Sequence, residues 1–437
     1  MTGRSVGARL RHVSRVPRWS VAPPGVRGRT LHNYRIVQRD AVAVGFTSAA
    51  APFLGVYLAR FGATPFDLGL IAALPSIAGL FLSIPLGQFL LRRTSIPRWL
   101  GTSRMLTAAT YGVIGLLPFV IPAEAVVPVA MVVWALASVP LLIVPIAFSV
   151  VMSLVAGPNG RFELLSRRWS LAVLTTALTV TVAGRVLDVL PFPLNYQVIL
   201  VVLSLAGPIS MVLMNRLRMP ERALPPPPPP ARPIRERASD LARLIQGQPA
   251  FVSFILRLFP FTIGTRMALP LIPLFYVTTL GATDGQIGLI ATIQSFGLLI
   301  GYLAWTLLWR RRGGRIILLV CGAGLAAYPA GLAVSREISV VLAVTAAASL
   351  FQAGLQLVLF DELMRRVPVI YSPTFVAVDQ SVAHIAGLGG PLLGAALASV
   401  VGVPMALGLA TVTSLAGYGL LALDRTRSAG VHHAEAT

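Results

Sequence analysis

The chain has 437 residues, of which 56% are apolar and 12% charged; its mean hydropathy is +0.79, and 36 basic residues, all arginine, face 15 acidic ones. A soluble domain carries about a quarter charged residues, so these proportions exclude a water-soluble protein and place most of the chain against lipid or other helices. The one cysteine, Cys321, excludes an intrachain disulfide and any cysteine-based metal or iron–sulfur site; no metal and no cofactor are expected.

In chain order, residues 1–33 hold seven Arg, two His and no acid. They read as a basic tail at a lipid surface, a composition that a transit peptide shares. Twelve apolar runs follow, at 36–59, 66–91, 98–121, 125–154, 167–190, 194–216, 250–279, 284–309, 315–334, 338–362, 374–400 and 403–423. Each is long enough to cross a bilayer as a helix, which takes about 20 residues. The expected division is a tail (1–33), a six-helix bundle (34–216), a linker (217–248), a second six-helix bundle (249–423) and a tail (424–437). The linker carries six prolines, Pro225–Pro230, a stiff polyproline spacer. After it, Ile234–Gln246 reads as an amphipathic helix in the headgroup layer. With every run crossing and both termini inside, the inner segments hold 30 Arg and the outer ones 3, Arg60, Arg185 and Arg336. That alternation predicts twelve crossings, cytoplasmic termini and an inner-membrane protein. The basic excess is read as a rim against anionic headgroups, with no nucleic-acid partner.

The segment Phe61–Arg93 aligns without a gap on Leu280–Arg312, at an offset of 219; from Gly62 to Arg93, 11 of 32 positions are identical. The matches include Gly-Ala-Thr, the Gly-Leu-Ile-Ala run, Ser76 with Ser295 and the closing Arg pair, and Tyr57 falls on Tyr276. Two parallel halves of this kind place a substrate path at their interface. On the 6+6 count, the long central loop and this repeat, the chain over about 34–423 resembles the major facilitator superfamily of secondary transporters. The resemblance implies an all-α membrane fold of two pseudo-symmetric six-helix bundles, a central cavity lined by helices 1, 4, 7 and 10, rocker-switch alternating access, and a monomer. The superfamily's loop motif is partial: Leu91 stands where its Asp should be, before Arg92 and Arg93, and the second copy, Trp309–Arg315, also lacks the Asp. The Arg of helix four and the Gly-Pro motif of helix five that mark proton-coupled antiporters are missing as well.

Ionisable residues at membrane depth are functional candidates, because their burial is costly. Arg266 lies about 24 Å from one end of its run and 20 Å from the other, beyond easy snorkelling. It reads either as an anion-binding guanidinium or as a member of a buried ion pair with Asp40 or Asp379. Arg104 and Arg257 lie nearer helix ends and are expected to snorkel. Asp40 reads as an exposed acid at a helix start, or as a proton carrier or gate partner. Asp379 and His384, five residues apart, could form a proton-coupling pair. Ser349, Gln352 and Gln356 share one helical face, implied by the resemblance to face the cavity. Gln294, Trp134, Tyr57 and Tyr276 are further candidates for substrate contact. Asp361 with Glu362, Arg365 and Arg366, and Glu163 with Arg161, Arg167 and Arg168, are matching clusters that could latch the inner gate. Gly387, Gly390 and Gly394 share a face and read as a packing seam. The expected function is secondary transport of a small organic molecule, with an anion and export as the finer expectations and no enzymatic site. The alternative is a transporter-like assembly or cofactor-delivery protein, for which a closed, dry interior would speak.

Overall fold

The computed structural model describes residues 27–91, 93–219, 243–312, 314–366 and 372–423. Among these, all regular structure is helical, and eleven helices are long and apolar enough to cross a membrane. They are α1 (Gly28–Arg60), α2 (Pro65–Leu91), α4 (Ala123–Met152), α5 (Arg167–Val189), α6 (Leu194–Asn215), α7 (Pro249–Thr279), α8 (Asp284–Arg312), α9 (Gly314–Ala333), α10 (Ile338–Arg365), α11 (Ser372–Val401) and α12 (Val403–Ala422). The twelfth, α3 (Ile96–Leu116), has the length, but Arg98 and Arg104 lower its apolarity.

Three expectations need correction or lie out of reach. The first helix begins at Gly28, before the expected tail ends. Its start is tied down: the Asn33 amide donates to the Arg218 carbonyl (3.0 Å) and accepts from the Arg218 N–H (2.9 Å). Between α4 and α5 no loop interrupts the helical backbone, which runs from Ala123 to Val189. Yet the Arg168 guanidinium lies 4.5 Å from the Phe148 ring, although 20 residues of straight helix span about 30 Å. The chain therefore doubles back between them, where the sequence reads Gly157-Pro158-Asn159-Gly160. The polyproline run and most of the expected linker helix lie outside the described residues; only a turn at 243–246 is helical.

The repeat is visible in the backbone. Gly62 and Gly281, 219 positions apart, both adopt positive φ (85° and 60°), a region glycine enters freely. Each is followed by a capping box. The Thr64 N–H donates to Asp67 (2.8 Å) and the Asp67 N–H returns to the Thr64 hydroxyl (3.2 Å); Thr283 and Gln286 make the same pair at 2.9 and 3.3 Å. Both α1 and α7 break at nearly matching positions, Ala49–Ala50 and Leu269–Pro270, one residue out of register with the repeat. In α7 the cause is plain: Pro270 has no N–H for the Arg266 carbonyl, which accepts from Leu269 instead (3.3 Å).

The core is not uniform along the helices. We call the end where α1 begins and α12 finishes proximal, and the opposite end distal. At the distal end one core joins both halves, with Phe53, Tyr196, Phe275, Ile287 and Leu407 among its members. At the proximal end there are two cores: Tyr34, Leu100 and Met152 belong to the first half, and Phe254, Ile317 and Phe375 to the second. The halves thus close against each other distally and part proximally.

Two seams hold the halves together. Along α2–α11, Gly69 faces Pro391 and Ala395, Gly387 faces Ser76, and Gly79 faces the His384 ring. Along α5–α8, Gly184 meets Gly288, where a Cβ on Gly184 would come 3.0 Å from the Gly288 Cα, and the Thr181 and Thr292 hydroxyls share a hydrogen bond of 3.1 Å. Gly288→Leu should wedge this seam apart. Overpacking of a tight contact costs about 1–3 kcal/mol, so a lower melting midpoint in detergent is expected, and an unchanged midpoint would show that the seam does not bear on stability. The three glycines of α11 do not serve one seam: Gly390 and Gly394 face α7 of their own half, while Gly387 faces α2 of the other.

Candidate substrate site and gates

On α7, Gly264 packs on Ser414 of α12, and Met267 packs on Gly394 of α11. Pro273 presses across the halves on Gly55 of α1, where a Cβ would lie 2.8 Å from the proline ring. Arg266 precedes Pro273 by seven residues, about 10 Å towards the proximal end, and its Cβ lies against Gly390 of α11. The side chain is exposed and makes no hydrogen bond or ion pair among the described residues. A guanidinium left against hydrocarbon costs at least about 2.5–3.5 kcal/mol, so water or an anion is its compatible surrounding. Of the two partners the sequence offered, Asp40 is engaged elsewhere and Asp379 makes no bond to it.

The other lining candidates scatter. Gln294 and Gln352 are half-buried and make no hydrogen bond among the described residues. Gln356 accepts from the Tyr302 hydroxyl of α8, and Ser349 is buried against Gly297 of α8 with its hydroxyl on the Thr345 carbonyl (2.9 Å). Two of the three residues on that face of α10 thus turn to a neighbouring helix. Trp134 is half-buried, edge-on to Tyr111 at 5.6 Å. Tyr57 is fully buried among Phe61 (5.0 Å) and Tyr196 (5.5 Å), and Tyr276 is buried beside Tyr328 and Thr345. Both tyrosines sit in the distal closure, not on the gap.

Asp40 is the clearest correction. With the helix starting at Gly28, this acid falls in mid-helix and is 0% exposed. It accepts from Arg104 of α3, from Arg168 of α5 (3.5 Å) and from the Ser210 hydroxyl of α6 (2.5 Å). Phe148 of α4 lies beneath both guanidinium groups, at 5.7 Å from Arg104 and 4.5 Å from Arg168. Arg104 is 9% exposed and paired, so it does not snorkel. Arg257 is half-buried on α7. One carboxylate joins α1, α3, α5 and α6, which makes the first half a single body. Arg168, read from the sequence as part of a cluster that could latch the inner gate, is instead buried in this network of the first half.

A second network was also missed. At the distal end Asp284, the first residue of α8, accepts from Arg60 of α1 (2.8 Å), the Tyr196 hydroxyl (2.7 Å) and the Asn195 amide (3.0 Å). Arg60 also donates to the Ala282 carbonyl (2.9 Å). Three groups of the first half converge on one carboxylate of the second. A signal was present: the repeat sets Asp284 opposite Pro65, an acid at the one loop the halves share in register.

At the proximal end Glu362 pairs with Arg366 one turn on (2.7 Å), and Arg366 covers the Phe254 ring at 4.3 Å. The side chains of Glu163 and Asp361 lie outside the described residues, and Arg167 is half-buried. No hydrogen bond links Asp379 to His384; the His384 ring lies instead against Gly79 of α2.

No protein-family model and no curated protein matches the sequence. Solved structures do. The nucleoside transporter NupG is 12% identical, with a TM-score of 0.61 over 91% of this chain and 99% of that one. A mutant of NupG gives a TM-score of 0.65 at 10% identity, over 90% and 99% of the two chains. A bacterial homologue of the human lysosomal transporter Spinster, in an inward-facing and unoccupied conformation, gives 0.65 at 11% identity, over 91% and 98%. Identities this low carry the architecture alone. The chain has the major facilitator fold: two six-helix halves that close on each other at one end and part at the other.

Proposed function

We propose that the chain is a secondary transporter that moves a small organic anion between its two halves by rocker-switch alternating access. In this reading it works as a monomer in the inner membrane, with both termini cytoplasmic, its arginine rim on anionic headgroups, and export as the direction of net flux. The observation that carries it is Arg266, an exposed guanidinium at mid-membrane depth on α7, with no acceptor among the described residues. The separate proximal cores and shared distal core support a state open to the cytoplasm. They also speak against the assembly-protein alternative, which predicts a dry, closed interior.

A melting screen of purified protein in detergent, with anionic, neutral and cationic small molecules, tests the reading. A ligand that binds the folded state raises the midpoint by mass action. Anions should raise it for the wild type and not for Arg266→Ala. The ligand-free midpoint should barely move in that variant, because no buried pair is broken. A variant that melts far lower with an unchanged binding pattern would make Arg266 a structural residue. Efflux and uptake in liposomes then settle direction.

A further inference from the structure

Arg266 is not the sole polar head without a partner among the described residues of the second half. His384 of α11 also makes no hydrogen bond or ion pair among the described residues. Its ring lies against Gly79 of α2, a position where a Cβ would overlap the imidazole. The same helix receives the stem of Arg266: a Cβ on Gly390 would come 2.5 Å from the Arg266 Cβ. Two glycines thus leave room for these two side chains, one within the second half and one across the halves. His384 precedes Gly390 by six residues, about 9 Å along α11 and 120° round it, a span that the long Arg266 side chain and one bound anion can bridge, and the two side chains are not bonded to each other. Asp379, the nearest acid on α11 in sequence, is five residues away and so about 140° round the helix.

Resting on the anion reading above, we infer that Arg266 and His384 form a two-point clamp for an oxyanion, a carboxylate or a phosphate-type group, bridging α7 and α11. A guanidinium offers several N–H donors and an imidazole one more, and neither has an acceptor here. An oxyanion with two or more oxygens satisfies both at once. The clamp also has a mechanical consequence. His384 is the point where the occupied site touches the other half, so a bound anion fixes the ring that rests on Gly79.

The test uses full-length protein in detergent and melting titrations with benzoate, acetate, inorganic phosphate and sulfate, on the wild type, Arg266→Ala, His384→Ala, His384→Gln and Gly79→Ala. At least one of these oxyanions should raise the wild-type midpoint, with the effect lost in Arg266→Ala. Loss of a hydrogen bond to a charged group weakens binding about tenfold or more, so His384→Ala should show that loss. His384→Gln, which keeps a donor, should retain most of the affinity. Gly79→Ala removes no polar group but pushes a methyl at the ring, so it should also weaken binding. It serves as the deciding variant should His384→Ala fail to fold. Wild-type affinity in both His384→Ala and Gly79→Ala, with binding still lost in Arg266→Ala, would overturn the clamp and leave the anion reading standing. No response of the wild type to any of the four oxyanions, with a response to a neutral compound, would overturn both.

Discussion

Asp40→Ala is expected to destabilise the protein by about 3–5 kcal/mol, the penalty for breaking a buried pair and leaving its partner charged. Here two partners are stranded. Arg104 and Arg168 are 9% and 4% exposed, and both lean on the same Phe148 ring with no other acid bonded to them. Without Asp40 they repel each other in a space that water does not reach. Four helices lose their common tie, so the first half should fail as a unit, with a large drop in melting midpoint or in recovered monodisperse protein. The companion variant makes the mechanism specific. Asp40→Leu combined with Arg104→Met and Arg168→Met removes all three charges, and replacing a whole buried cluster by apolar groups is often neutral or better. The triple variant should recover most of the lost stability. An Asp40→Ala protein that melts like the wild type would show that the cluster does not hold this half together.

Asp284→Ala is the second large effect, and it falls on conformation more than on stability. The Arg60 pair alone is worth little, about 1 kcal/mol at most, since Arg60 keeps 29% of its side chain exposed. The Tyr196 and Asn195 bonds to the same carboxylate add to it, and hydrogen bonds to charged acceptors contribute about 1.5–3 kcal/mol each. Allowing for water that replaces them, a loss of roughly 2 kcal/mol shifts the balance between the two ends about 30-fold towards distal opening. Accessibility of a cysteine placed at the closure, for example Phe61→Cys, to a membrane-impermeant thiol reagent from the distal side should rise accordingly. Unchanged labelling would show that the carboxylate network is not what keeps this end shut.

Much of the architecture can be read in the sequence because it rests on local chemistry. The twelve runs follow from apolarity, and the repeat from Gly62/Gly281 and the threonines that cap α2 and α8. What could not be read is tertiary. Asp40 looked like a helix-start acid because Gly28–Arg39 is too polar to resemble a membrane helix; it is helical because Asn33 anchors it to the end of α6. Arg168 lies at the start of the run at 167–190 beside other basic residues, and its burial depends on Asp40 of α1 and Phe148 of α4, partners far off in sequence. Asp284 has only its place opposite Pro65 in the repeat to mark it, and its partners, two residues of α6 and one of α1, are far off in sequence. Arg266 was visible by depth alone, and its lack of a partner needed the structure. The pairing of His384 with α2 rests on Gly79, whose meaning depends on what lies opposite.

Rocker-switch transport requires that the end now closed opens as the other shuts. Distances between spin labels measure this directly, on a background in which the buried Cys321 is replaced by alanine. One pair would sit at the exposed Val189 and Arg336 at the distal end, the other at the exposed Arg98 and Ile316 at the proximal end. In the Asp284→Ala protein a longer distal distance together with a shorter proximal one is expected, relative to the protein with Asp284 in place. Distances that stay fixed at both ends, or that lengthen at both, would contradict it and describe a chain that borrows the transporter fold without its cycle.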